Sequence, residues 1–253
     1  MLNRIYIIPH GDELIDMDTD EDRKMHEAIK KYSENDDSET LVVISPHGIV
    51  LDRDVGVIYS SKLSGAYRTK HHYIRKTYDN DLELADSIAR SQHAQHLRCI
   101  TLSGNVPCPL DFGTLIPLQF FKRKRVVAMG EPRLLDYSAI VGFADDLYSA
   151  MSKFERKISL IISADQAHTH SKDGPYGFSE DADLYDKIVI DSINNNDFHA
   201  LINIDKSIVE RAKPDSYQNM IVTARLLEIS RRKMHVDYYY VAGYFGMLLA
   251  REA

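Results

Sequence analysis

Arg4-Ile5-Tyr6-Ile7-Ile8-Pro9-His10-Gly11 lies at the start of the chain, and the same shape returns at Leu41-Val42-Val43-Ile44-Ser45-Pro46-His47-Gly48. In both, a short apolar, β-branched run stops in Pro-His-Gly. Comparable runs occur at 55–59, 97–102, 126–129 and 158–162. A strand with one wet face alternates apolar and polar residues. These runs are nearly continuous, which is the pattern of strands buried on both faces. Between and after them lie segments with helical spacing of apolar residues or helix-start signals, at 20–34, 137–154, 181–193, 197–204 and 215–229. Strands alternating with helices predict an α/β fold: one three-layer domain over 1–253, with a central mostly parallel or mixed sheet and helices on both faces. The Tyr- and Val-rich stretch 236–250 predicts one or two closing strands. The Gly/Pro-containing stretch 172–177 reads as a loop over a site, not as a linker.

Composition narrows the function classes. The chain has 253 residues, 44% of them hydrophobic, enough for a sizeable core. Its formal net charge of -7 argues against general nucleic-acid binding. The one basic run, Lys122 to Arg125, precedes an apolar strand and reads as a solvated strand entry. No apolar run approaches the roughly 20 residues of a membrane helix, and the N-terminal stretch runs directly into acids, unlike a secretory leader. The expectation is a cytoplasmic protein with neither nucleic acid nor membrane as partner. The two cysteines, Cys99 and Cys108, lack a CxxC spacing and support neither a disulfide framework nor a zinc ribbon.

Ligands of open α/β sheets bind beyond the carboxyl ends of the strands, so the residues following each run matter most. Two runs are followed by His10 and His47. A third, ending at Ile162, is followed by Ser163-Ala164-Asp165-Gln166-Ala167-His168-Thr169-His170. At least three imidazoles are thereby expected at one edge of the sheet. A lone histidine at a strand end is most often a hydrogen-bonded turn residue. The repeated Pro-His-Gly triplet, joined by a third histidine, favours metal ligation at His10 and His47, with proline stiffening each turn and glycine admitting close approach. The remaining histidines read as surface or packing residues. Two histidines and one carboxylate make the facial triad of non-haem iron sites. The acid is sought first at Asp215, in Ala212-Lys213-Pro214-Asp215-Ser216-Tyr217-Gln218, although an Asp at a helix start serves equally as an N-cap. Gln218, one turn on, and Asp12, just past His10, are the alternatives.

These residues, together with Leu110-Asp111-Phe112-Gly113-Thr114-Leu115-Ile116-Pro117-Leu118 and Gly174-Pro175-Tyr176-Gly177-Phe178, give a chain that resembles the class III extradiol ring-cleavage dioxygenases (LigB-like), with which the Memo-like proteins share a fold. The order and spacing of the motifs carry the resemblance. It implies that His10 and His47 bind iron(II), that a carboxylate near Asp215 completes the triad, and that His168 acts as acid and base on the substrate hydroxyl or on oxygen. The implied reaction inserts both atoms of O2 into a catechol-type ring beside its hydroxyls. Two departures stand out. Phe112 occupies the place of a histidine common in the family's Asp-His-Gly motif, and His170 is the neighbouring imidazole that could replace it. The third ligand is usually Glu, where this chain offers Asp215 or Gln218.

The leading expectation is an iron(II)-dependent extradiol dioxygenase acting on a small catecholic aromatic and O2, with Phe112, Tyr176 and Phe178 lining an apolar pocket. The alternative is a Memo-like metal-binding protein of the same fold without ring cleavage, which Phe112 favours. A zinc metallohydrolase ranks below both, since the chain has no HExxH helix. There is no GxxxxGK(S/T) phosphate loop, no GxGxxG after a strand and no GxSxG elbow. The Tyr-rich C-terminal strands could close the sheet or pair across a homo-oligomer.

Overall fold

The computed structural model describes residues 1–102, 104–122 and 124–252. In chain order the elements are β1 (Leu2–Ile8), α1 (Glu13–Asp16), α2 (Asp20–Glu34), β2 (Thr40–Ser45), β3 (Val55–Ile58), β4 (Lys62–Arg68), β5 (Tyr73–Asp79), α3 (Leu82–Ala89), β6 (Ala94–Leu97), β7 (Ile100–Thr101), β8 (Gly104–Asn105), β9 (Cys108–Pro109), α4 (Phe112–Leu118), β10 (Arg125–Gly130), α5 (Tyr137–Ser152), β11 (Ile158–Ser163), α6 (Asp181–Asn195), α7 (Phe198–Ile202), α8 (Lys206–Ala212), α9 (Tyr217–Ser230), β12 (Met234–Ala242) and β13 (Phe245–Glu252).

The main sheet has eight strands in the order β12-β13-β1-β11-β2-β10-β3-β6. Its centre, β1-β11-β2-β10, is parallel throughout. The β12–β13 hairpin is antiparallel and adds antiparallel to β1, while β3 pairs antiparallel with β10, so the sheet is mixed. The apolar runs are continuous because successive residues serve two cores. Ile5, Ile7, Val42, Ile44, Leu160 and Ile162 face α3, α5, α6 and α9. Tyr6, Ile8, Leu41, Val43 and Ile161 face α2, α4 and the β4–β5 hairpin. Fully burying each such aliphatic side chain contributes about 1.5–3 kcal/mol, and the period of two along a strand divides that between both layers. Among the described residues no helix is long and apolar enough to cross a membrane.

Two expectations are corrected. The run 97–102 is not one buried strand: β6 ends at Leu97, and Cys99 O instead accepts from Val106 N, so the chain pairs with itself as β7–β8. Ile100 and Leu102 are consequently exposed. The basic run is not uniformly solvated either. Lys124 is nearly buried in an ion pair with the fully buried Asp36, which also accepts from the Tyr6, Ser38 and Ser159 hydroxyls. Arg123 of that run lies outside the described residues.

Candidate metal centre

Since β1, β11 and β2 are parallel neighbours, their carboxyl ends share one edge of the sheet. His10 stands two residues beyond β1 and His47 two beyond β2. Asp165 stands two beyond β11, an equivalent offset that sequence reading passed over. A loop from the other end of the chain, just ahead of α9, brings Asp215. His10 Nε2 lies 3.0 Å from His47 Nε2 and 3.0 Å from Asp215 Oδ2, and His47 Nε2 lies 3.3 Å from Asp215 Oδ2. Asp165 Oδ2 is 3.3 Å from His10 Nε2.

Hydrogen bonding sets the state of His10. Ser163 Oγ donates its single proton to Gly113 O at 2.6 Å, so at 3.0 Å from His10 Nδ1 it can only accept. Nδ1 therefore carries a proton, and in the neutral ring the lone pair sits on Nε2, facing His47 and Asp215. This is the tautomer a metal ligand needs, oriented by an outer partner. The donor set also fits one cation. Ligands at about 2.1 Å from an ion and at right angles to each other lie about 3 Å apart, close to the three separations here. His10, His47 and Asp215 thus form a cluster that could hold a metal ion, and Asp165, His168 and Asp215 form a second, overlapping one.

The surrounding residues hold this cluster in place. Ser45 Oγ donates to Asp111 Oδ1 at 2.6 Å and accepts from His47 N at 3.2 Å, while Asp111 caps α4 through Thr114 N. Gly113 is required by close approach: a Cβ there would lie 2.6 Å from Ser45 Oγ and 3.0 Å from His47 Cδ2. Arg133 Nη2 donates to Pro46 O at 3.0 Å and to Asp215 O at 2.9 Å, clamping two ligand-bearing loops together. Its Nε pairs at 3.0 Å with Glu131, which is fully buried behind the site. Ser216 occupies the N-cap of α9 but makes no capping bond, because its hydroxyl donates to Asp215 Oδ1. The cap position therefore belongs to Ser216, and the Asp215 carboxylate faces the histidines.

Burial works against the charged form of His10, but the carboxylates of Asp165 and Asp215 outweigh it and lift its pKa to about 9. Burial would likewise raise Asp215. The charge of His10 and hydrogen bonds from His10 and His47 overcome that and hold its carboxyl far below the usual range. Asp165 moves the opposite way, pushed up by burial despite His10. Burial also raises Glu131 to about 8, against Arg133, and Glu13 to about 7. The cluster forms the floor of a cavity of about 390 Å³ that is further lined by Asp12, Glu13, Tyr67, Phe112, His168, Tyr176, Tyr244 and Phe245. Tyr244 belongs to the two-residue turn of the β12–β13 hairpin and Phe245 follows it, a turn made possible by Gly243 at φ +63°.

The expected residues divide as follows. His10, His47, Asp215, His168, Phe112 and Tyr176 all line the cavity. His168 Nδ1 lies 2.8 Å from Gln166 O, to which it must donate, leaving Nε2 as the free nitrogen. Phe112 lies tilted against His47, with ring centroids 4.1 Å apart, and stacks on Tyr67 at 5.3 Å. His170 is not brought to the cavity: its ring nitrogens meet Asp186 at 2.7 Å and Asp183 at 3.1 Å. Phe178 is half exposed outside the lining, where it bridges His170 through the backbone. Gln218 lines a neighbouring cavity with Arg133 and Lys213. Asp12 is engaged by the Tyr67 hydroxyl rather than by the histidines. Asp165, Glu13, Tyr67, Tyr244 and Phe245 were missed by sequence reading.

Imidazoles and carboxylates gathered beyond parallel strand ends make this edge of the α/β sheet a candidate metal centre. Residues 5–249 match the family described as the catalytic LigB subunit of aromatic ring-opening dioxygenase, and the chain belongs to that family. It is similar to Protein CA_C1420 of Clostridium acetobutylicum, at 22% identity over 97% of this chain and 56% of that protein. The chain thus spans little more than half the length of this curated relative. The fold is also similar to that in the crystal structure of uncharacterized protein JW3007 from Escherichia coli K12, with a TM-score of 0.66, 15% identity and 99% of each chain covered.

Proposed function

We propose that the chain is a non-haem iron(II)-dependent extradiol dioxygenase that opens the ring of a small catecholic aromatic with O2. The observation that carries this reading is the convergence of His10 Nε2, His47 Nε2 and Asp215 Oδ2 within 3.3 Å of one another on the floor of an aromatic-walled cavity. In this reading His10, His47 and Asp215 hold the metal, and three protein donors leave positions open for substrate. Bound there, iron(II) supplies a Lewis-acidic, redox-active centre for a catecholate and O2; zinc suits the same donors but has no redox chemistry. The free Nε2 of His168 accepts the proton of a substrate hydroxyl and returns it to the product. Phe112 and Tyr67 form part of the aromatic wall beside which the substrate ring packs. Tyr176 stands half exposed at the rim, where it limits water entry.

The test is anaerobic loading with iron(II) followed by O2 uptake with protocatechuate, homoprotocatechuate, dihydroxyphenylalanine and aminophenol. The expected result is uptake with a yellow ring-opened chromophore, lost in His47→Ala. Phe112 favours one other reading, a Memo-like metal-binding protein that does not cleave rings, because phenylalanine has no proton to transfer. Stoichiometric metal without uptake on any substrate supports that second reading. A protein that takes up no metal contradicts both.

A further inference from the structure

Cys99 and Cys108 lie outside the metal centre and are used by none of the chemistry above. They are separated by the β7–β8 excursion, yet Cys108 Sγ lies 2.9 Å from Cys99 Sγ. Carbon atoms in van der Waals contact settle at about 3.5–4.0 Å, and sulfur is no smaller, so these sulfurs sit inside ordinary contact and within about 1 Å of the disulfide bond length of about 2.05 Å. Both ends are held by the backbone. Cys99 N donates to Ser60 Oγ at 3.2 Å, Cys99 O accepts from Val106 N at 3.3 Å, and Cys108 is paired with Leu63 in the β4–β9 ladder. Their environments differ: Cys108 is buried and Cys99 only partly so.

We propose that Cys99 and Cys108 form a reversible intramolecular disulfide that staples the 99–108 excursion onto β9. The position has a structural consequence. Cys108 precedes by three residues Asp111, the carboxylate that caps α4 and holds Ser45 beneath His47, and by four the cavity residue Phe112. The staple thus anchors the segment from which both hang. The oxidant is a low-molecular-weight disulfide such as oxidised glutathione. The Cys99 sulfur, on the less buried of the two residues, attacks it as thiolate, forming a mixed disulfide and releasing one glutathione thiolate. Cys108 then loses its proton and displaces the second glutathione. Overall, two protein S–H bonds are lost, one protein S–S bond forms, and one glutathione disulfide is reduced to two thiols. Burial and the neighbouring Cys99 push the Cys108 thiol up to about 12, which keeps Cys108 protonated, and the less buried Cys99 is the sulfur that meets the oxidant.

The experiment equilibrates the full chain with oxidised glutathione, denatures it in acid, and reads free thiols and intact mass. The expected result is loss of both thiols, a monomer lighter by two hydrogen atoms without a glutathione adduct, and full recovery of both thiols with dithiothreitol. Cys108→Ser should instead trap the glutathione adduct on Cys99, since no second sulfur resolves it. Two thiols remaining in the wild-type chain, a persistent adduct on it, or an intermolecular dimer would each overturn the proposal.

Discussion

Replacing Ser163 by alanine removes one oxygen and tests the whole arrangement around His10. That oxygen is fully buried and makes two bonds, accepting from His10 Nδ1 at 3.0 Å and donating to Gly113 O at 2.6 Å. Its loss leaves a buried N–H and a buried carbonyl without these partners. Each unsatisfied group costs about 1–3 kcal/mol, so folding stability should fall by roughly 2–6 kcal/mol before local rearrangement. The effect on the metal has a separate origin. Without the Ser163 acceptor, nothing favours the proton on Nδ1, and the ring can carry it on Nε2, where it would point at Asp215 and block ligation. Loss of such an outer partner typically weakens metal affinity 10- to 100-fold, which is about 1.4–2.8 kcal/mol at 1.4 kcal/mol per decade. The assay is a competitive titration of the metal-free protein with a chromophoric chelator, run beside denaturant unfolding. Ser159→Ala is the control. It too removes a buried hydroxyl from β11, but one bonded to Asp36 at the far end of the strand, so it should cost stability and leave metal affinity alone. Wild-type affinity in Ser163→Ala, or an equal loss in Ser159→Ala, would refute the reasoning.

Because the His10 pKa is lifted to about 9, the metal-free ring is protonated at neutral pH and metal must displace that proton. Affinity should therefore rise about tenfold per pH unit from 7 toward 9 and then level off, as read by calorimetry in buffers of differing ionisation enthalpy; a flat profile contradicts it. His10 raised to about 9 and Glu131 raised to about 8 both bind protons more tightly folded than unfolded. The stability they contribute is present at low pH and lost as pH rises through those values, so the midpoint of thermal unfolding of the metal-free protein should fall between pH 6 and 9. Gly113→Ala should displace the His47 ring, because its Cβ has no room beside Ser45 Oγ and His47 Cδ2; at least a tenfold loss of metal affinity with unchanged far-ultraviolet circular dichroism is expected. Arg133→Ala should lower stability by about 1–3 kcal/mol and weaken metal binding by freeing Pro46 O and Asp215 O. Arg133→Lys should not restore either, since one ammonium cannot reproduce the guanidinium fork; full rescue by lysine would rule the clamp out.

The strands were legible because each residue of 5–8, 41–44 and 160–162 is buried against one core or the other, which erases the alternation that a half-exposed strand would show. The same rule failed at 97–102, where the chain leaves the main sheet after Leu97 and the small β7–β8 pair leaves Ile100 and Leu102 exposed. His10 and His47 were readable for a related reason: the residue that follows a parallel strand is carried to the binding edge by the strand itself. Asp165 obeys that rule and Glu131, just past β10, nearly does; both could have been found by applying it to every strand rather than to histidines alone. Tyr67, Tyr244 and Phe245 could not, since hairpin packing, not strand order, delivers them to the cavity. His168 and His170 show where local pattern ceases to decide. Two residues apart on a regular strand they would face the same way, but the chain bends at His168, and His170 turns to Asp186 and Asp183. The choice among Asp215, Gln218 and Asp12 depended on contacts of the same long-range kind. Asp215 meets His10 across 205 residues of chain, and its orientation depends on Lys213 in the left-handed conformation, on the Ser216 hydroxyl and on Arg133 from beyond β10. An acid at a helix start has the same local sequence whether it caps the helix or faces a metal. Here the neighbouring serine takes the cap position, which frees the carboxylate to turn toward the histidines.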